Sequence, residues 1–444
     1  MTIAPVDVDH LGSDASARPR VLTILALSGA ALVLLFVLIP HSVSGDGYVR
    51  FLKLDALLRD HIIRRDPYPL IGPFFAAPLW WVGDSRLWWF ARFNVMVLAA
   101  GMAVAWSALR SEMTATERAS AVLLLGATGM MPNATTDFYG EMFSAVMVGT
   151  GLLLVWIRQR WVGWIPLVLG VANMPASAVG LLFVAFHRGW RARRVDGIVA
   201  LAAASALILI QNTVERGAPF DGGYAGNHGV TTMLPYSGMP GFSYPLILGL
   251  VSLLFSFGKG LLFFAPGLLL VRRAGRDRPR LAAFFESSMA FLAGLVLVYA
   301  KWWAWYGGWK WGPRFLLFAA YPSAFALAVA LARRGSWRAS LTTIGVVGWT
   351  VWVGVSGAAF DLTGLDECIA NGYALEHLCW YVPEYSPLLR PFVLPPPSLL
   401  PWQQAWMLFA AVVFAILITS GPFLDGILKT STRRPASERN EADV

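Results

Sequence analysis

Charge, histidine and cysteine are all scarce in this chain of 444 residues. Asp, Glu, Lys and Arg together make up 14%, with 6 His and 2 Cys. Soluble domains carry about a quarter charged residues, which argues against a chain built of water-facing domains. The histidines show no ligand spacing. Both cysteines, Cys368 and Cys379, fall in one polar loop, where a disulfide and two free thiols are the alternatives. A signal-peptide pattern is also missing. The apolar run Val21–Ile39 is too long for a cleavable core and no small-residue site follows it, so it is expected to stay as an anchor behind a cytoplasmic tail at 1–20.

Apolar residues take the place of the missing charge. They make up 57% of the chain, and mean hydropathy is +0.59. Many runs approach the roughly 20 residues a helix needs to cross a bilayer, and a helix satisfies its own backbone groups in lipid. The sequence therefore reads as an all-α polytopic membrane protein. A formal net charge of +9 would point to nucleic acid in a soluble chain. Here the basic residues lie mostly between apolar segments, so topology accounts for them and no nucleic-acid partner is expected.

Arg18 and Arg20 place the N-terminus in the cytoplasm, and Pro40 closes the first span. A first outer loop then covers 41–87. From Gly47 onward Phe51, Leu54, Leu58 and Ile62 form one helical stripe, with Arg50, Lys53, Asp60 and Arg64 opposite. That is the pattern of an amphipathic helix lying in the membrane interface. The piece Asp66–Pro78 holds too many prolines for one regular helix. Arg158 and Arg160 precede, and Arg188, Arg191, Arg193 and Arg194 follow, an apolar stretch centred on Asn173-Met174-Pro175. With both flanks basic, 161–187 reads as a short hairpin entered and left from the cytoplasmic side. Further outer loops are expected at 213–245, 301–314 and 356–401, and a cytoplasmic polar tail at 421–444. This amounts to about 12 membrane helices in a single domain at 21–420.

Most of the 35 Lys and Arg residues fall on the cytoplasmic side of this scheme. The exceptions cluster in the first loop and at Lys259, Lys301, Lys310 and Arg314. They mark either an anionic ligand or side chains snorkelling to lipid headgroups. For a phosphate, Arg314 is best suited, because a guanidinium binds it bidentately; Lys259 and Lys310 come next, then Arg50 and Lys53. Asp46, set in Ser44-Gly45-Asp46-Gly47-Tyr48 just beyond the first span, is either a general base or a cap for the helix that follows. Asp137 and Glu141 share a helix face; they are candidates to orient an acceptor or, with Asp46, to bind a divalent cation such as Mg or Mn. Tyr48, Trp305, Tyr306 and Trp309 are candidates for sugar or lipid contact, the plainer alternative being an interfacial aromatic belt.

Several stretches together resemble one family. They are Ser44–Tyr48, Tyr68–Pro78, Asp137-Phe-Tyr-Gly-Glu141, Ser256-Phe-Gly-Lys-Gly-Leu-Leu-Phe-Phe-Ala-Pro266 and Trp305-Tyr-Gly-Gly-Trp-Lys-Trp-Gly-Pro-Arg314. In order and side they resemble the GT-C superfamily of membrane glycosyltransferases, most of all the bacterial branch related to protein O-mannosyltransferases. The resemblance implies a GT-C-like bundle that moves mannose, or a related hexose or pentose, from a polyprenyl-phosphate donor on the outer face of the inner (plasma) membrane. A first-loop acid sits at the active site in that superfamily, and Asp46 is the matching position. Asp46 has no acidic neighbour of the kind some branches pair with it, so the resemblance does not carry a metal with it. Short outer loops, and no large soluble domain after the last span, favour a membrane-proximal, lipid-linked acceptor, and little Lys against abundant Arg, Ala and Trp suggests a bacterium, consistent with cell-envelope glycan synthesis. The rival readings are a transporter or flippase of lipid-linked sugars and a catalytically inactive GT-C-like assembly subunit.

Overall fold

A computed structural model of the chain describes residues 17–83, 85–234, 237–333, 335–361, 365–395 and 398–420. The tails expected at 1–20 and 421–444 lie outside these residues, apart from 17–20. Its principal helices are α1 (Ala17–Val37), α2 (Gly45–Asp60), α3 (Phe93–Ala108), α4 (Ala115–Ala127), α5 (Gly140–Trp156), α6 (Trp164–Asn173) and α7 (Ala178–Ala192). They continue with α8 (Asp196–Arg216), α9 (Leu246–Phe255), α10 (Pro279–Tyr299), α11 (Ala320–Ala332), α12 (Trp337–Ala359) and α13 (Pro401–Thr419). Among the described residues 7 helices are long and apolar enough to cross a membrane, and the shorter apolar helices include Gly140–Trp156, Trp161–Asn173 and Leu246–Phe255. The architecture is the all-helical, polytopic one expected.

Helix breaks fall where backbone chemistry requires them. The proline-rich 66–78 piece folds as separate turns, Ile71–Phe75 and Ala77–Trp80. α6 and α7 are parted at Met174-Pro175, as the flanking charges predicted. α6 runs back along α5, and at its tip Asn173 Nδ2 donates to the Gly140 carbonyl and to Ser144 Oγ, both at 3.0 Å. The hairpin tip thus meets the N-terminal end of α5.

The bundle has two chemically distinct ends. At one, Arg188 pairs with Asp196, Arg191 with Glu286, Arg278 with Glu117 and Arg333 with Asp277. These are arginine clusters that the topology reading put on a common side. The other end gathers the start of α2, the 66–72 segment, residues 137–141 and the tryptophan-rich turn at 305–314.

α2 turns only part of its charged stripe to water: Arg50 is 6% and Lys53 0% exposed, whereas Asp60 and Arg64 are exposed. The helix stops at Asp60, with His61 in the left-handed region at φ 58°, and Ile62 is exposed. Lys53 faces protein because Glu215 and Asp66 meet it there, and Arg50 packs against the Pro69 carbonyl; helical periodicity alone reveals neither.

Candidate active site

The site begins with a carboxylate that is bonded on both oxygens. Asp137 is buried, and its Oδ2 accepts from the hydroxyls of Ser42 at 3.0 Å and Ser44 at 2.5 Å. Its Oδ1 accepts from the backbone N–H groups of Phe138 at 2.7 Å and Ser44 at 3.1 Å. With four donors around it, Asp137 clamps the chain entering α2, and its acceptor capacity is taken up at the edge of the cavity described below. Ser44 occupies the cap position of α2 but gives its side chain to Asp137 instead of capping the helix. The two glycines have separate tasks. Gly45 sits at φ +47°, where a side chain is strained, and a Cβ on Gly47 would lie 2.6 Å from Asp137 Oδ1. Asp46 is therefore carried in the first turn of α2, not as its cap.

Two fixed donors hold the Asp46 carboxylate. The Tyr68 hydroxyl donates to Oδ1 at 2.7 Å, and Arg314 Nη2 donates to Oδ2 at 2.8 Å. Burial opposes the charge on Asp46. The Arg314 charge and these two hydrogen bonds outweigh it, with Arg50 adding to them, and hold its pKa below the ordinary carboxylate value. Burial and the neighbouring Asp46 charge push the Tyr68 phenol well above its ordinary value, so it stays a donor. Arg314 also reaches Glu141, with Nη1 3.5 Å from Oε1, so one guanidinium bridges two acids. The other Glu141 oxygen, Oε2, is buried with no hydrogen-bond partner among the described residues. Lys310 Nζ lies 3.4 Å from Ser44 Oγ and 3.9 Å from Asp137, and it and Arg314 both sit over the Tyr139 ring. Arg50 is buried with its Nη1 on the Pro69 carbonyl at 3.4 Å, and it forms no ion pair among the described residues. A cavity of about 320 Å³ adjoins the cluster, lined by Glu141, Lys310 and Arg314 together with Met130, Met142 and Leu317.

Other expected site residues are occupied elsewhere. Lys259 is fully buried, and its ammonium donates to the carbonyls of Gly308, Lys310 and Gly312. It braces the turn that presents Lys310 and Arg314 and has no room for phosphate. Lys53 is likewise enclosed by Glu215 at 2.8 Å, Asp66 at 3.2 Å and the Tyr68 carbonyl at 2.7 Å. Trp305 and Tyr306 are buried, with Tyr306 stacked on Trp380. Trp309 stacks on Tyr373 and donates its indole N–H to Glu376 at 3.0 Å. These aromatics form a packed support and not an open belt. Cys368 and Cys379 are disulfide-bonded with Cα atoms 6.0 Å apart, and the loop they close carries Tyr373 and Glu376. Tyr48 stays 44% exposed. Replacing Lys259 with Met leaves three inward carbonyls without their donor, at about 1–3 kcal/mol for each group left unmatched. A clear fall in the thermal midpoint of the purified protein is expected; an unchanged midpoint would remove the bracing role.

A divalent cation does not suit this donor set. Asp46 and Glu141 already flank the Arg314 guanidinium, and Asp137 is saturated by its own neighbours. Among the described residues no group of three or more His, Cys, Asp and Glu could hold a metal ion. The residues that sequence reading left without a role are Tyr68, Glu215, Tyr139 and Glu376. Tyr68 opens the Tyr68–Pro78 stretch, but nothing in its spacing indicates a bond to Asp46.

The fold is the GT-C fold, a polytopic membrane architecture. Two crystal structures of ArnT from Cupriavidus metallidurans share it. The one bound to undecaprenyl phosphate superposes with a TM-score of 0.52 at 15% identity, covering 94% of this chain and 79% of ArnT. The apo form gives 0.53 at 14% identity, covering 91% and 77%. No protein-family model and no curated protein matches the sequence.

Proposed function

We propose that this chain is a glycosyltransferase that uses a polyprenyl-phosphate sugar, with mannose or a related hexose or pentose as the group moved. The acceptor is a lipid-linked cell-envelope molecule at the outer face of the plasma membrane, and both termini lie in the cytoplasm. One observation carries the reading: Asp46, held ionised, is 2.8 Å from Arg314 at the end of a bundle with the ArnT fold. The undecaprenyl phosphate in the ArnT crystal structure supports a polyprenyl lipid as donor carrier.

Transfer then needs few parts. The acceptor hydroxyl attacks the anomeric carbon, its proton passes to Asp46, and the carbon–oxygen bond to phosphate breaks with the electron pair leaving on phosphate. A phosphate departs without a proton, so a single carboxylate base suffices and the paired acids of glycosidases are not required. Displacement from the opposite face inverts the anomeric centre. Arg314 and Lys310 stabilise the charge that grows on the leaving phosphate, and Arg50, a buried cation with no carboxylate partner among the described residues, adds to the field.

Membranes containing the overproduced chain, incubated with radiolabelled polyprenyl-phosphate mannose and then with other polyprenyl-phosphate sugars, should yield a labelled glycolipid absent from a deletion strain. The glycolipid profile of that strain would identify the acceptor. Movement of the donor across the bilayer with no new labelled product would favour the flippase reading instead.

A further inference from the structure

The buried ion network beneath the site has no evident purpose in sugar transfer, since none of its charges reaches the cluster around Asp46. Lys53, Glu215, Asp66 and Arg216 converge between α2, the end of α8 and the 66–70 segment. Lys53 binds Glu215 and Asp66, and Arg216 lies 3.2 Å from Glu215 and donates from Nε to the Asp66 carbonyl at 2.9 Å. Buried pairs of this kind add little net stability over apolar packing, so what they position is the better guide to their role. Here several contacts fall on or beside one residue. The Tyr68 N–H donates to Asp66 Oδ1 at 2.8 Å, and its carbonyl accepts from Lys53 at 2.7 Å. The Leu70 N–H donates to Glu215 Oε1 at 3.2 Å, and Arg50 lies over the Tyr68 ring, 5.0 Å from its centre. The backbone of Tyr68 is fixed on both sides, and its hydroxyl points at Asp46 Oδ1.

We propose that Tyr68 is a positioning residue for Asp46, and that the Lys53–Glu215 pair serves to hold it in place. This rests on the reading of Asp46 as the base. The two carboxylate oxygens then differ in kind. Oδ1 is held by a phenol anchored to the scaffold, whereas Oδ2 is held by Arg314, which an incoming phosphate can draw away. Tyr68 thus keeps the carboxylate oriented while Oδ2 is released to take the acceptor's proton. Asp46 is faced by Arg314 from the 305–314 turn, Tyr68 from the 66–70 segment, Arg50 from its own helix, Tyr139 from the 137–139 loop and Tyr224 from the 213–245 loop. Glu141 acts on it through the shared Arg314. Of these, Tyr68 is the only neutral group bonded to Asp46 among the described residues.

The test is the Tyr68→Phe variant, read in two ways in the full-length protein in nanodiscs. The Asp46 carboxyl is titrated by infrared difference spectroscopy, its band assigned by its loss in Asp46→Asn. Losing a donor to the charged form should raise the titration midpoint by about one pH unit. Sugar transfer in membranes should fall by about 10- to 100-fold, while polyprenyl phosphate binds as in the wild type. The paired Lys53→Met, Glu215→Gln variant, which keeps the network's charge balance, should give the same shift, and adding Tyr68→Phe to it should give no more. Should the paired variant fail to fold, Tyr68→Phe alone decides. A midpoint unmoved by Tyr68→Phe, or undiminished transfer, overturns the proposal. Wild-type transfer by Asp46→Asn would remove the reading of Asp46 as the base, on which the role of Tyr68 rests; an inactive Asp46→Asn beside an unshifted Tyr68→Phe removes only the role of Tyr68.

Discussion

The Asp46→Asn variant is expected to lose sugar transfer by about 10²- to 10⁴-fold, the range that a positioned general base contributes, while still binding polyprenyl phosphate. The substitution is nearly isosteric, and its amide oxygen can go on accepting from Tyr68. What it removes is the ability to take a proton. Phosphate binding survives because Arg314 loses a competing carboxylate, not a partner that helps it hold phosphate. The wild-type pH profile follows from the same geometry. The pKa of Asp46 is depressed, so the base is ionised throughout the neutral range, and activity is lost only as pH falls through a value below the ordinary carboxylate figure of about 3.9. Transfer by Asp46→Asn within about threefold of wild type would show that the proton goes elsewhere, since a positioned base is worth far more than that.

Arg314→Gln should fail at an earlier step. The guanidinium is the link between Asp46 and Glu141 and the cation best placed for phosphate. Its loss should weaken polyprenyl phosphate binding by about 10- to 100-fold, in line with the roughly 1.5–3 kcal/mol of a hydrogen bond to a charged group. It should also raise the Asp46 pKa. Burial already disfavours the charged carboxylate, and the Arg314 charge is the main influence set against it. The acid limb of any remaining activity therefore moves to higher pH. Glu141→Gln should act on binding with the opposite sign. Arg314 then has one carboxylate fewer to satisfy, and polyprenyl phosphate should bind more tightly than to the wild type. Calorimetry, or the thermal shift produced by the lipid phosphate, reads both variants. Weaker binding to Glu141→Gln would mean that this acid serves the donor directly.

Part of the site was legible in the sequence because topology forces certain residues together. A Gly-Asp-Gly just past the first apolar run and a Lys-Trp-Gly-Pro-Arg turn after a later one, both on the side the arginine clusters avoid, must share one face of the bundle. That Asp46, Lys310 and Arg314 come together at one end followed from that topology, whereas the reading of Asp46 as a base came from the family resemblance. The roles of Lys259 and Lys53 did not follow from it. On the chosen side of the membrane each counts as an unpaired cation, yet Lys259 is enclosed by three carbonyls and Lys53 by Glu215 and Asp66. Glu215 lies far along the chain from Lys53, and no periodicity connects them.

The sequence by itself therefore determined the solvent and which loops share an end of the bundle. Scarce charge and long apolar runs leave helices in lipid as the only economical form, and arginine clusters order the loops. Tertiary structure alone decided the use of each charged group: which cations brace carbonyls, which are paired, and which stand beside Asp46. The physical reason is range. Hydrophobic length and loop charge act locally along the chain, whereas an ion pair or a hydrogen bond depends on ångström distances between segments that meet only when the bundle closes.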